Sequence, residues 1–191
     1  MKTQSLIYSA IIVCILITGC EEPSIPHQRG YLRIELPAHT YREFNPADCP
    51  FRFEMSALAE AVRDTNGLAE SCWWFINYPK LNGKIYISYK PVANDLNRFT
   101  EDAHTLVYKH TQRANAINEN LISNEFHASG ILYEIGGDAA SSIQFYMTDS
   151  TKHFLRGALY FNTAPNSDSL APSIQYIHAD IEHMLATLQW K

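Results

Sequence analysis

The stretch CWWFINYPKLNGKIYISYK, residues 72–90, decides the fold. Cys72 to Tyr78 is a run of large residues with strand character on both faces, ended by Pro79. Asn82-Gly83 supplies a turn, because glycine tolerates the backbone angles a tight reversal needs. Lys84 to Lys90 then alternates, with Ile85, Ile87 and Tyr89 on one face and Tyr86 and Ser88 on the other. The whole reads as a β-hairpin.

The same two-residue period recurs on either side. Leu32-Arg33-Ile34-Glu35-Leu36 and Phe51-Arg52-Phe53-Glu54-Met55 precede the hairpin, with Pro37, Pro46 and Pro50 marking turns between them. Residues 56–70 permit either a short helix or a loop with a turn at Asn66-Gly67. Ile131–Ile135, Ser142–Thr148 and Phe154–Phe161 follow it as strands. Gly136-Gly137-Asp138 and Asp149-Ser150-Thr151-Lys152 are the turns that join them.

Two segments change period. From about Asp95 to Ala116 a helical stripe runs through Leu96, Phe99, Ala103, Leu106, Val107, His110 and Ala114 to Ile117, with Asn94 as its expected N-cap. Asn166 to Pro172 is expected to be a polar loop. A final helix is expected from about Pro172 to Gln189, with Ile174, Ile177, Ile181, Met184, Leu185 and Leu188 inward. Strands in runs, separated by two helices, predict a single α+β domain. Its largely antiparallel sheet of about six to seven strands is packed with two main helices.

The N-terminus carries a different signal. Lys2 precedes the apolar run Leu6 to Ile17, and Thr18-Gly19-Cys20 closes it. This is the layout of a secretory signal, and a Cys after Thr-Gly has the form read by the lipoprotein pathway. Residues 1–19 are read as a signal peptide and residues 20–30 as a lipidated Cys20 with an extended tether rich in proline. Residues 31–191 are the globular domain. The uncharged run falls short of the roughly 20 apolar residues of a membrane span. The expected place is the cell envelope, lipid-anchored and facing the periplasm, with the choice of inner or outer membrane open.

Composition narrows the class. Hydrophobic content of 46% and aromatic content of 12% favour a folded globule over a disordered stalk. The net charge is −5, and loss of Lys2 makes the mature chain one unit more negative. An acidic chain without a basic run has no electrostatic footprint for nucleic acid. Cys14 leaves with the signal and Cys20 is acylated, so Cys49 and Cys72 remain in an oxidising compartment. A disulfide between them is expected; two free buried thiols are the alternative.

Residues patterned for catalysis or metal binding are sparse. His104 and His110 are six apart and His178 and His183 five apart, neither of which aims two rings at one metal. No zinc, calcium, phosphate-loop or dinucleotide pattern occurs, so no metal or cofactor is expected. His110 lies on the apolar stripe, the usual place of a satisfied core histidine. Ser150, Lys152 and His153 permit an imagined nucleophile, but Asp-Ser-Thr is ordinary turn chemistry. Tyr86, Tyr89, Tyr146, Tyr160, Trp73 and Trp74 are many aromatics for one sheet. Coverage of both faces by helices or loops is expected, with an exposed ligand or partner surface as the other reading. Arg156, mid-strand, needs a partner if buried, and Asp102 and Asp149 are the acidic candidates.

Several segments carry a resemblance: Tyr86–Pro91, Asn94-Asp95-Leu96-Asn97 onward, Tyr108-Lys109-His110-Thr111, Thr148–Phe161 and Asn166–Pro172. With Cys49-Pro50-Phe51 and Cys72-Trp73, they resemble, in order and across the whole mature domain, the gliding motility lipoprotein GldD family of Bacteroidota. The resemblance implies an envelope lipoprotein required for gliding and coupled to type IX secretion. Its implied partners are other gliding lipoproteins and type IX secretion components, and it implies no enzyme activity. Two functions are carried forward. One is a non-catalytic component that binds other envelope proteins through segments 86–110 or 149–172. Its expected surface is Tyr89, Lys90, Lys109, His110, Asp149, Lys152, His153 and Arg156. The other is a lipid-anchored binding or hydrolytic module for a small molecule or cell-wall fragment.

Overall fold

A computed structural model describes residues 36–109 and 113–191. Among the described residues the chain forms ten strands and two α-helices. The strands are β1 (Tyr41–Phe44), β2 (Phe51–Ser56), β3 (Glu60–Arg63), β4 (Trp74–Tyr78), β5 (Gly83–Pro91), β6 (Ala114–Ser123), β7 (Ser129–Gly137), β8 (Ser141–Thr148), β9 (His153–Phe161) and β10 (Gln189–Trp190). The helices are α1 (Leu96–Tyr108) and α2 (Ser167–Thr187).

Seven strands form one antiparallel sheet in the order β3-β4-β5-β9-β8-β7-β6. A smaller sheet has the order β1-β2-β10. The hairpin expected over residues 72–90 is present: Trp74 pairs with Ile87 and Tyr78 with Gly83. Asn82 takes the left-handed conformation at its turn, φ 53°.

The main core lies on one face of the large sheet. Ile85, Ile87, Ile143, Phe145, Leu155 and Leu159 meet Phe51, Phe53 and Met55 of β2 and Ile177, Ile181 and Met184 of α2. Alternation puts these residues inward and leaves Arg52 and Glu54 outside. Gly157 makes room for a ring there, since a Cβ at that position would lie 2.0 Å from Phe145 Cζ. On the opposite face α1 buries Phe99, Ala103 and Val107 against Phe154, Tyr133, Ile135 and Tyr146.

The fold class is as the patterning predicts, but four element boundaries are corrected. The helix expected to reach Ala116 ends at Tyr108, and residues 114–123 are β6. Asn115, Asn118 and Asn120 are weak helix formers. The free side of β7 offers them a ladder from Ala114 opposite Gly137 to Ser123 opposite Ser129. Asn94 is not the cap of α1. It turns at φ 65°, and the Asp95 side chain accepts from the Ala93 amide. The last helix starts at Ser167, not Pro172. The Asn166 side chain accepts from the Ser169 amide at 3.0 Å, and Pro172 fits in the second turn at the cost of one backbone bond. Residues 189–190 leave that helix and pair with β2.

The ambiguous 56–70 segment holds β3, paired with β4. Of the strand expected at 32–36, only Leu36 is among the described residues, and it is not in a strand. The first strand described is β1. The signal peptide, Cys20 and the tether lie outside the described residues.

Cys49 and Cys72 are joined as a disulfide across a separation of 23 residues, with their Cα atoms 5.5 Å apart. The bond ties the start of β2 to the start of β4, and so the small sheet to the large one. Cys72 has φ 68°, a conformation that costs a residue with a Cβ free energy. Arg63 Nη2 reinforces the link by donating to both Asp48 oxygens at 2.6 Å.

Candidate functional site

The 149–153 turn is built around one carboxylate. Asp149 Oδ1 accepts from the amides of Thr151, Lys152 and His153 at 3.0, 2.8 and 2.9 Å. Burial pushes its pKa up, but these backbone donors outweigh it and hold the carboxyl at about 2. Ser150 takes the left-handed conformation, φ 66°, and its amide donates to Thr148 Oγ1. His153 turns away from Ser150. Its Nδ1 lies 2.9 Å from the Tyr89 hydroxyl, and its ring stacks on Trp190 with centroids 5.0 Å apart. Burial lowers the His153 pKa, Asp149 raises it, and Lys152 lowers it further.

The other expected surface residues do not join this turn in one patch. Tyr89 and His153 lie on the face packed by α2, as the pairing of Tyr89 with Leu155 requires. Lys90 and Arg156 lie on the α1 face. Lys90 pairs with Glu70 at 2.5 Å. Arg156 Nη2 donates to Gln144 Oε1 at 2.5 Å, so the partner is a neutral amide rather than Asp102 or Asp149. Burial lowers the guanidinium pKa, with Tyr160 opposing the shift. Lys109 closes the far end of α1, and 13 helical residues rise about 20 Å. His110 lies outside the described residues. Lys152 is exposed at the tip of the turn.

A different surface is assembled on the α1 face. The helix packs on Tyr133, Ile135, Tyr146 and Phe154 of β7, β8 and β9, and toward the β3–β5 side of the same face some apolar side chains stay exposed. Val62 is 46% exposed and Tyr86 43%. Phe75 and Tyr86 meet edge to face at 4.9 Å, and Tyr86 and Tyr160 at 5.3 Å. Lys84 Nζ sits 4.8 Å from the Phe75 ring centroid. A cleft of about 440 Å³ opens beside them, and the buried Asn77 Oδ1 at its wall has no hydrogen-bond partner. Of the six aromatics that raised the question of an exposed surface, Tyr86 is exposed, while Tyr89 is buried and Trp73, Trp74, Tyr146 and Tyr160 are half-buried. Alternation in residues 75–77, 84–86 and 160 carried the signal; the coverage of that face did not show in sequence.

Sequence reading also missed a polar cluster under α2. Asp180 is buried, with Oδ1 2.7 Å from His39 Nδ1. Tyr176 stacks on His39 at 4.1 Å, and Tyr41 stacks on His183 at 3.6 Å. Burial first, then the charge of Asp180, pushes the Tyr78 hydroxyl pKa well up. The available signal was an acid placed among Ile177, Ile181 and Met184. Among the described residues no group of three or more His, Cys, Asp or Glu side chains is placed to hold a metal. Nor is any described helix long and apolar enough to cross a membrane.

The profile of the gliding motility lipoprotein GldD matches residues 21–190, nearly the whole chain. The chain belongs to the gliding motility lipoprotein GldD family. GldD membership makes it a lipoprotein, and so a protein held to a membrane by lipid. No curated protein matches the sequence significantly. In architecture this GldD domain is similar to the solution structure of cyanobacterial PsbP (CyanoP) from Synechocystis sp. PCC 6803. The TM-score is 0.51 at 6% identity, covering 84% of this chain and 98% of that one. Likeness at that identity concerns the fold alone.

Proposed function

We propose that this GldD-family chain is a non-catalytic, lipid-anchored component of the gliding machinery coupled to type IX secretion. Cys20 carries the anchor, and the domain faces the periplasm. It binds other envelope proteins through the β3–β5 side of the α1 face. The observation that carries this reading is the cluster of Val62, Phe75, Tyr86 and Tyr160, with Val62 and Tyr86 exposed on the part of this face where the helix does not pack. Exposed contiguous apolar surface on a folded domain marks an interaction site. Aromatic residues are also enriched among the side chains that dominate interfaces.

The test is a Val62→Asp/Tyr86→Asp chain expressed in place of the native one. Spreading on a surface and export of a secreted reporter should both fall, while the purified domain keeps its melting temperature. Crosslinking in intact cells should recover gliding lipoproteins or secretion subunits with the native chain and lose them with the variant. Normal spreading, export and crosslinking by a folded variant would remove this surface from the reading.

A second reading, a binding module for a small molecule or cell-wall fragment, is favoured by the cleft beside Tyr86 and the unpartnered Asn77 Oδ1. Titration of the protein with soluble muropeptides tests it. Saturable binding lost in Asn77→Ala would support it, and no binding at millimolar concentration would end it.

A further inference from the structure

Among the described residues the large sheet ends in two edges, β3 and β6. β3 has four residues, whereas β6 has ten. A sheet edge presents a row of unpaired N–H and C=O groups, and folded proteins shield long edges with Lys, Pro, bulges or a covering element. β6 (ANAINENLIS) has no Lys and no Pro, and its one irregularity lies at its start, between Ala114 and Ala116. Seven of its ten residues are exposed, including Leu121 at 87%. Beside it, between α1 and β7, runs a groove of about 420 Å³ lined by Leu96, Thr100, Leu121, Ile131 and Tyr146.

We propose that β6 receives an extended strand from a partner protein and so continues the large sheet. This rests on the reading of the domain as a binding component and names a second surface and the form of its partner. An unpaired backbone ladder is satisfied by another strand, with alternate side chains giving specificity. On the α1 face β6 shows Ile117, Glu119 and Leu121 in a row, opposite Ile135, Tyr133 and Ile131 of β7. The matching strand carries apolar, basic and apolar side chains at alternate positions. Its basic residue faces Glu119, and an apolar neighbour lies over Leu121 and into the groove.

A second copy of this chain fits poorly. With both α1 helices on one side, the antiparallel register that sets Ile117 against Leu121 also sets Glu119 against Glu119. Like charges directly opposite are destabilising. Moving the register by two residues sets Glu119 against Ile117 or Leu121 instead. Glu119 already accepts from the Tyr108 hydroxyl at 2.8 Å, which holds its carboxylate on this face.

The test uses the full-length lipidated protein in detergent and two synthetic peptides, Thr-Ile-Thr-Lys-Thr-Ile-Thr and the same peptide with Glu for Lys. Amide hydrogen exchange is followed along β6. The Lys peptide should slow exchange in 117–122 by about tenfold. The Glu peptide should bind roughly fivefold more weakly. Glu119→Gln, which can still accept from Tyr108, should narrow that difference, and Glu119→Lys should reverse it. Equal effects of the two peptides, protection elsewhere but not in β6, or a β6-mediated dimer that neither peptide competes away would each overturn the proposal. The readout is strand protection, not spreading. A positive result therefore stands even if the Val62→Asp/Tyr86→Asp variant leaves gliding intact, and a negative one leaves the gliding reading to its own test.

Discussion

His39 Nδ1 and Asp180 Oδ1 lie 2.7 Å apart, joining the segment before β1 to the buried middle of α2. The Asp180 side chain is 1% exposed, so its charge is held by neighbours rather than by water. Tyr176 packs on the imidazole from one side. The segment that leads into β1 is thereby clamped to the helix at the centre of the core.

Removing one member of a buried pair strands the other. His39→Ala should cost about 3 kcal/mol, because it strands a carboxylate that is 1% exposed. Asp180→Ala should cost about 1 kcal/mol from this pair, because the imidazole it leaves is 35% exposed and can turn to water. Urea unfolding of the mature domain measures both. Equal small losses for the two variants would show that the carboxylate is not held by this pair.

The disulfide should act mostly on the unfolded chain. Closing a loop across a separation of 23 residues contributes about 3 kcal/mol in the loop-entropy model. Thermal melting with and without reductant should therefore differ by several degrees. An unchanged melting temperature, with thiol titration showing both cysteines free, would contradict this.

Asp149 and His153 both contribute to the acid limb of stability. Asp149 is held at about 2 in the folded state, against 3.8 when unperturbed. Its contribution is full above the unfolded value and is lost as pH falls from there toward 2. His153 has a lowered folded pKa, so the unfolded state takes up the proton first, and stability declines as pH falls below 6.5. A stability curve should be flat above neutrality, dip gently below 6.5 and fall steeply below 4. Asp149→Asn should lose on the order of 1–2 kcal/mol at neutral pH, with screening allowed for, and flatten the steep limb. A variant with the native slope below pH 4 would place that titration elsewhere.

Cys20→Ala should leave the precursor uncleaved and unlipidated. Gel mobility and metabolic labelling with a fatty acid read this directly. Normal processing and labelling in the variant would refute the assignment of Cys20.

The strands that could be read from sequence are those whose two faces differ. β5 shows Ile85, Ile87 and Tyr89 inward and Tyr86 outward, and its alternation is visible without a structure. β6 is an edge, exposed on most positions, so no buried face imposes a period. Ala114 and Ile117 happen to continue the stripe of α1, which hid the change from helix to strand. Asn166 to Ala171 looks like a loop by composition, yet Asn166 is a cap and Asp168 suits a first turn. The site was less legible than the fold. Tyr89 and Lys90 are neighbours in sequence and lie on opposite faces of the sheet. The exposure on the β3–β5 side depends on where α1 stops, and no residue of β3, β4 or β5 records that.

The pairing of β10 with β2 bears on when the domain can form at all. Trp190 lies opposite Phe51 and Gln189 opposite Arg52. A chain made N-terminus first presents Phe51 long before Trp190 follows. Until then Phe51 and Arg52 lack their β10 partners, and α2, which packs on Phe51, Phe53 and Met55, is also still to come. Contacts so distant along the chain form late and slowly. Chain appearance and folding are thus separated in time, and the incomplete chain exposes an aromatic strand until its partners arrive.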